Sequence, residues 1–178
     1  MLRGGVVRGS PNPRHFGLAI RLKKALKQSG LTRRALARKA GVSDPIIGYL
    51  ETSQRLPTVA TVARLASGLS VSASWLAYGI GEMTTDGPGV TSEGMGARLQ
   101  SVRIERGLTK AALSRLANLS PSAFAKIENG GQSGIEVIES LAKVLGVSPA
   151  WLAFNQGAPG LPRTARGRTL AQSSTPAD

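Results

Sequence analysis

Apolar residues recur every three or four positions along two stretches of this chain, and the second stretch repeats the first. From Gly17, residues Leu18, Leu22, Ala25 and Leu26 fall on one face of a helix, with Arg21, Lys23, Lys24 and Lys27 on the other. Gly30 closes that helix. Leu36, Ala37 and Ala40, then Val42, then Ile47 and Leu50 should face a core. A loop over 52–57 follows. Residues 58–67 predict a fourth helix with Val59, Val62, Ala63, Leu65 and Ala66 inward, and Ser72 caps a fifth that carries Trp75 and Leu76 and ends at Gly79. Residues 80–95, rich in Gly, Thr, Ser and acids, read as a linker that would span roughly 22 Å as a flexible chain.

The same five elements then recur. Leu99, Val102 and Ile104 mark the first; Ala112, Leu113, Leu116, Ala117, Leu119, Phe124 and Ile127 the middle pair; Ile135, Ile138, Leu141, Ala142 and Leu145 the fourth. Ser148-Pro149 is a cap followed by proline at the first helical position. Trp151-Leu152-Ala153-Phe154 repeats Trp75-Leu76-Ala77-Tyr78, with one residue fewer in the loop before the fourth helix. The pattern predicts an all-α chain of two tandem five-helix domains, over 17–79 and 96–157, with a basic flexible arm over 1–16 and a disordered tail over 158–178. Each domain is so small that it buries only ~60% of its chain surface. Packing of the copies on each other would therefore help both. The two tryptophans are expected to close their own domain cores.

The middle of each copy is a short helix, a tight turn and a second short helix. Thr32 and Thr109 cap the first helix of each pair, and Ser43 and Ser120 stand where the second begins. Gly41 and Asn118 sit in the turn, where a left-handed backbone conformation comes cheaply to those two residue types. This is the helix-turn-helix pattern.

Charge adds a partner to this picture. Across 178 residues the net charge is +13, with a pI near 11.4. Such an excess points to a polyanion, nucleic acid first and an anionic membrane surface second. The charge is uneven: residues 1–79 carry net +11, against +3 for 96–157. Cysteine is absent and His15, in the arm, is the single histidine. No metal site, cofactor or catalytic triad is therefore expected, and the chain reads as a non-enzyme. No stretch approaches the ~20 apolar residues of a membrane span, so the expectation is a soluble, cytoplasmic protein.

Five helices, a Gly-Leu-Thr-(basic)-x-Ala-Leu start, and Leu-Ser-Pro-Ser-Ala-Phe-Ala-Lys-Ile-Glu-Asn-Gly at 119–130 together resemble the lambda-repressor-like, or XRE, helix-turn-helix family of bacterial and phage regulators. The resemblance implies double-stranded DNA as partner. By that likeness Thr32, Arg33, Arg38 and Arg55, with Thr109, Lys110 and Asn129, approach DNA phosphates; Thr52 replaces Asn129 in the first copy. Base reading falls to Ser43, Asp44, Pro45, Gly48 and Tyr49, and to Ser120, Pro121, Ser122, Ala125 and Lys126. The family also ties a helix-1 Arg to a Glu after helix 3. Arg103 and Glu128 match, whereas Leu26 stands at the Arg position of the first copy and leaves Glu51 without that partner.

Physics supports the phosphate assignments: capped helix N-termini present N–H groups, and an adjacent cation adds charge. The reading faces are poorer, since base edges are usually read by Arg, Lys, Asn or Gln. Two function classes follow. The first is a sequence-specific transcriptional regulator, in its simplest form a repressor, whose two linked heads read adjacent major grooves. The second is a protein-interaction module on the same scaffold, such as an antiactivator or an antitoxin-like partner. A homodimer or another protein partner is compatible with either.

Overall fold

The computed structural model describes residues 13–52, 55–84, 92 and 94–160. Ten helices follow in order: α1 Pro13–Ser29, α2 Arg33–Ala40, α3 Asp44–Glu51, α4 Val59–Leu69 and α5 Ala73–Tyr78, then α6 Met95–Glu105, α7 Lys110–Leu116, α8 Pro121–Glu128, α9 Ile135–Leu145 and α10 Pro149–Phe154. Among the described residues, strand-like pairing is confined to two isolated bridges.

Helix α1 starts at Pro13, ahead of the Gly17 start that the apolar pattern suggests. Proline suits a first helical position, because its missing N–H would have no intrahelical partner there. Most of the expected arm, 1–12, lies outside the described residues, as do 85–91 in the linker and 161–178 in the tail. The tail's first residues are paired back on the domain: Ser148 N–H donates to the Pro159 carbonyl at 2.8 Å, and Val147 bridges to Gly160. The first copy does the same, with Ser72 N–H donating to the Met83 carbonyl at 2.8 Å.

The two turns work as their residues require. Gly41 has φ 62° and Asn118 φ 55°, both left-handed. Thr32 Oγ1 accepts from Ala35 N–H at 3.2 Å and Thr109 Oγ1 from Ala112 N–H at 3.0 Å. Leu22, Leu36, Ile47 and Leu50 fill the centre of the first copy; Leu99, Leu113, Phe124 and Ile127 fill that of the second. Two expected core positions are instead on the surface. Ile104 is 60% exposed and Leu116 is 60% exposed, because each lies in the last turn of a short helix, beyond the packed stripe.

Arg21 also departs from its expected solvent face. Its Nε donates to the Leu76 carbonyl at 3.0 Å and its Nη2 to the Ala77 carbonyl at 2.8 Å, capping the C-terminus of α5. Arg98 repeats this on α10, donating to the carbonyls of Leu152 and Ala153. The Lys24 ammonium lies 5.9 Å from the ring centroid of the half-buried Trp75.

The copies share one continuous hydrophobic core. Their junction pairs equivalent residues. Val59 N–H donates to the Ser133 carbonyl at 2.9 Å, and Ile135 N–H donates to the Pro57 carbonyl at 3.2 Å. Thr58 and Gly134, the N-caps of α4 and α9, thereby form an antiparallel bridge. The rings of Tyr78 and Phe154, again equivalent, lie 6.1 Å apart. Helix α5 packs on α10. A contact in which each surface meets its own counterpart is isologous, the mark of a two-fold relation, here between unlike halves of one chain. Tyr78 Oη adds a bond to the Ile135 carbonyl at 3.2 Å. Burial, with Glu139 and Glu136 nearby, pushes that hydroxyl above its ordinary value and keeps it a neutral donor.

Candidate nucleic-acid interface

Helices α3 and α8 are amphipathic over a single pair of turns. Ile47, Leu50, Phe124 and Ile127 point into the core. The residues singled out for base reading lie on the other side: Ser43, Asp44, Pro45 and Tyr49 on α3 are exposed and Gly48 half-buried, while Ser120, Pro121, Ser122 and Lys126 on α8 are exposed and Ala125 half-buried. Proline near the start of both helices leaves their first turns without a wasted donor. Ser120 Oγ accepts from Ala123 N–H at 3.2 Å, whereas Ser43 makes no such cap.

The positions matched to phosphate contact are also at the surface: Thr32, Arg33, Arg38 and Arg55 in the first copy, Thr109, Lys110 and Asn129 in the second. Thr52, in place of Asn129, turns its hydroxyl back onto the Gly48 carbonyl at 2.9 Å. The first copy thus lacks the side-chain donor that Asn129 offers.

Two of these cations pair with buried carboxylates. Arg33 Nε is 2.5 Å from a carboxylate oxygen of Glu51, and Lys110 Nζ is 2.7 Å from one of Glu128. Glu51 has no helix-1 arginine, since Leu26 stands there, and the arginine at the start of α2 takes that place. Arg103 pairs with Glu128 as expected, Nε to Oε1 at 2.7 Å, and its Nη1 donates to the Leu108 carbonyl at 2.8 Å. Burial alone would raise the Glu128 carboxyl. The hydrogen bonds from Lys110 and Arg103, with their charges, outweigh it and hold the group below the usual carboxylate value. The signal for the α2 pairings was in the sequence: Arg33 precedes Glu51 by the same interval as Lys110 precedes Glu128. Arg21 and Arg98 had a similar signal, each following a glycine at the same spacing.

Among the described residues no group of three or more His, Asp or Glu side chains converges to hold a metal ion, and no helix is long and apolar enough to cross a membrane.

Two family models match the chain, both described as helix-turn-helix, one over residues 22–76 and the other over residues 95–153. The chain carries two tandem lambda-repressor-like helix-turn-helix domains. No significant match to a curated protein or to a solved structure was found. Domains of this kind bind DNA, so the exposed faces of α3 and α8, with the capped starts of α2 and α7, form the candidate interface of this helix-turn-helix protein.

Proposed function

We propose that the protein is a sequence-specific transcriptional regulator, a repressor in its simplest use, that engages an operator as a single-chain pseudo-dimer. The observation that carries this reading is the reciprocal pairing of Val59 with Ser133 and Ile135 with Pro57 across the two domains. Duplex DNA has a local two-fold axis, and helix-turn-helix dimers match it by presenting two recognition helices to half-sites one turn apart. Here the two-fold partner is built into the same chain. The reading helices α3 and α8 differ in every exposed side chain apart from the serine before each and an early proline, so the two half-sites should differ as well.

In this account Thr32, Arg38, Thr109 and Asn129 approach phosphates through N–H groups and charge, with Arg33 and Lys110 shared between DNA and their glutamates. One feature favours the alternative, a scaffold kept for protein contacts. The first reading helix opens with exposed Asp44, which repels phosphate, and carries no cation of its own.

Selection of duplexes from a random library by the full chain at low salt distinguishes the two. The expected product contains two unlike half-sites whose centres lie about 10–10.5 base pairs apart. Enrichment of one half-site alone would remove the pseudo-dimer. Retention of no duplex at all would transfer the function to protein contacts.

A further inference from the structure

We propose that Arg55, held over the ring of Tyr49, is the residue with which the first domain reads a guanine, and that it occupies the place Lys126 holds in the second domain. The inference rests on the DNA-reading function above and names the specificity residue within it.

Tyr49 and Lys126 are equivalent: each stands two residues before the buried glutamate that ends its helix, Glu51 or Glu128. Both lie on the exposed face of the reading helix. Tyr49 is 43% exposed, one of the large apolar side chains on the surface. The guanidinium carbon of Arg55 lies 5.6 Å from the centroid of that ring. The ring is a platform for a cation delivered by the loop after α3.

The second domain reaches the same result by the opposite route. Counting back from the helix caps Thr58 and Gly134, position 55 corresponds to Gly131. A Cβ at Gly131 would come within 2.6 Å of Lys126 Cγ and within 2.6 Å of the Lys126 carbonyl oxygen. The loop there lies directly against the lysine stem and has no room for a side chain of its own. One domain pairs an aromatic residue on the helix with a cation on the loop; the other pairs a cation on the helix with glycine on the loop. Each pair places one positive charge at one position of the reading face. Two otherwise diverged loops thus converge on the same placement of charge.

The choice of arginine sharpens the assignment. A guanidinium held over a ring by a cation–π contact has already given up part of its rotamer freedom. Two parallel N–H donors match O6 and N7 of guanine in the major groove. A flanking phosphate contact would gain little from a platform on the helix that enters the groove. The first domain, lacking any cation on α3 itself, thus acquires its base reader from the loop.

The test uses the full chain, a duplex selected by the wild-type protein from a random library, and sonicated bulk DNA, each titrated at several salt concentrations. Arg55→Lys keeps the charge and loses the fork. It should weaken binding to the selected duplex roughly tenfold or more while leaving bulk-DNA affinity and the salt slope unchanged. Tyr49→Ala should weaken the selected complex in the same direction, and Tyr49→Phe should restore it, because the ring and not the hydroxyl supports the contact. Suppose instead that Arg55→Lys behaves as wild type while Arg55→Ala weakens both DNAs equally and lowers the slope by about 0.9. Arg55 is then a phosphate contact and the inference is overturned, with the DNA-reading function intact. A wild-type chain that retains neither DNA overturns both.

Discussion

Arg33 and Glu51 join the first residue of α2 to the last residue of α3, and Lys110 and Glu128 repeat the link between α7 and α8. The link fixes the two helices of each motif at both of their distant ends. The carboxylates are buried, at 5% and 7% exposure, while the cations remain open to solvent. A buried carboxylate must be paired, so these surface cations bear on folding.

The two copies should respond differently to losing that cation. Glu128 retains Arg103 when Lys110 is removed, whereas Arg33 is the one ion-pair partner of Glu51 among the described residues. Arg33→Ala should therefore cost about 1–3 kcal/mol, and Lys110→Ala less than about 1 kcal/mol. Urea titrations of the two variants measure this. Equal losses would mean that Glu51 finds another partner.

Acid should weaken the second domain through Glu128. Its folded carboxyl lies below the ordinary value of 4.5, so its pairing contributes stability above that value and loses it as pH falls through the folded value. Glu128→Gln should be destabilised at neutral pH by several kcal/mol, on the order of 3–5, since Arg103 is stranded. The gap to wild type should close below about pH 4.5. A gap that stays constant on acidification would contradict the pairing.

The shared core predicts one cooperative unfolding transition. Phe154 is 3% exposed and meets Tyr78 across the junction. Phe154→Ala should cost about 3–5 kcal/mol and separate the melt into two steps, with the first domain outlasting the second. A wild-type melt that already shows two steps would show that the domains fold independently.

Much of this arrangement could be read from the periodicity. The helix order and the turn residues Gly41 and Asn118 follow from patterns of three or four residues or from a repeated motif, and the Arg103–Glu128 pair from the resemblance to the lambda-repressor-like family. What escaped were contacts between segments far apart in sequence. The Arg21 bonds to α5 look like nothing more than a cation among Lys23 and Lys24, because a helical wheel ranks a residue by hydropathy and not by the carbonyls it will meet. Ile104 and Leu116 erred in the opposite direction: hydropathy placed them inside, and short helices ended before a partner covered them. The junction itself was invisible, since Pro57, Thr58 and Val59 bond to Ser133, Gly134 and Ile135 through backbone groups that every sequence shares.

At the DNA surface, charge alone should not predict contact. Arg38 lies on α2, among the residues of the proposed interface, and Lys23 lies on α1, outside that set. Arg38→Gln should lower the slope of log affinity against log salt on random DNA by about 0.9. Lys23→Gln should leave the slope nearly unchanged, contributing only long-range attraction. Equal slopes for the two variants would mean that phosphate contact is not confined to the helix-turn-helix face.

The most direct test of the pseudo-dimer is the stoichiometry of the complex, read together with its footprint. The mass of the chain bound to a selected duplex should correspond to one protein molecule per DNA. Its footprint should cover two adjacent major grooves on one side of the helix. Two chains per duplex, each protecting two grooves or one, would contradict an account in which α3 and α8 of a single chain fill both half-sites.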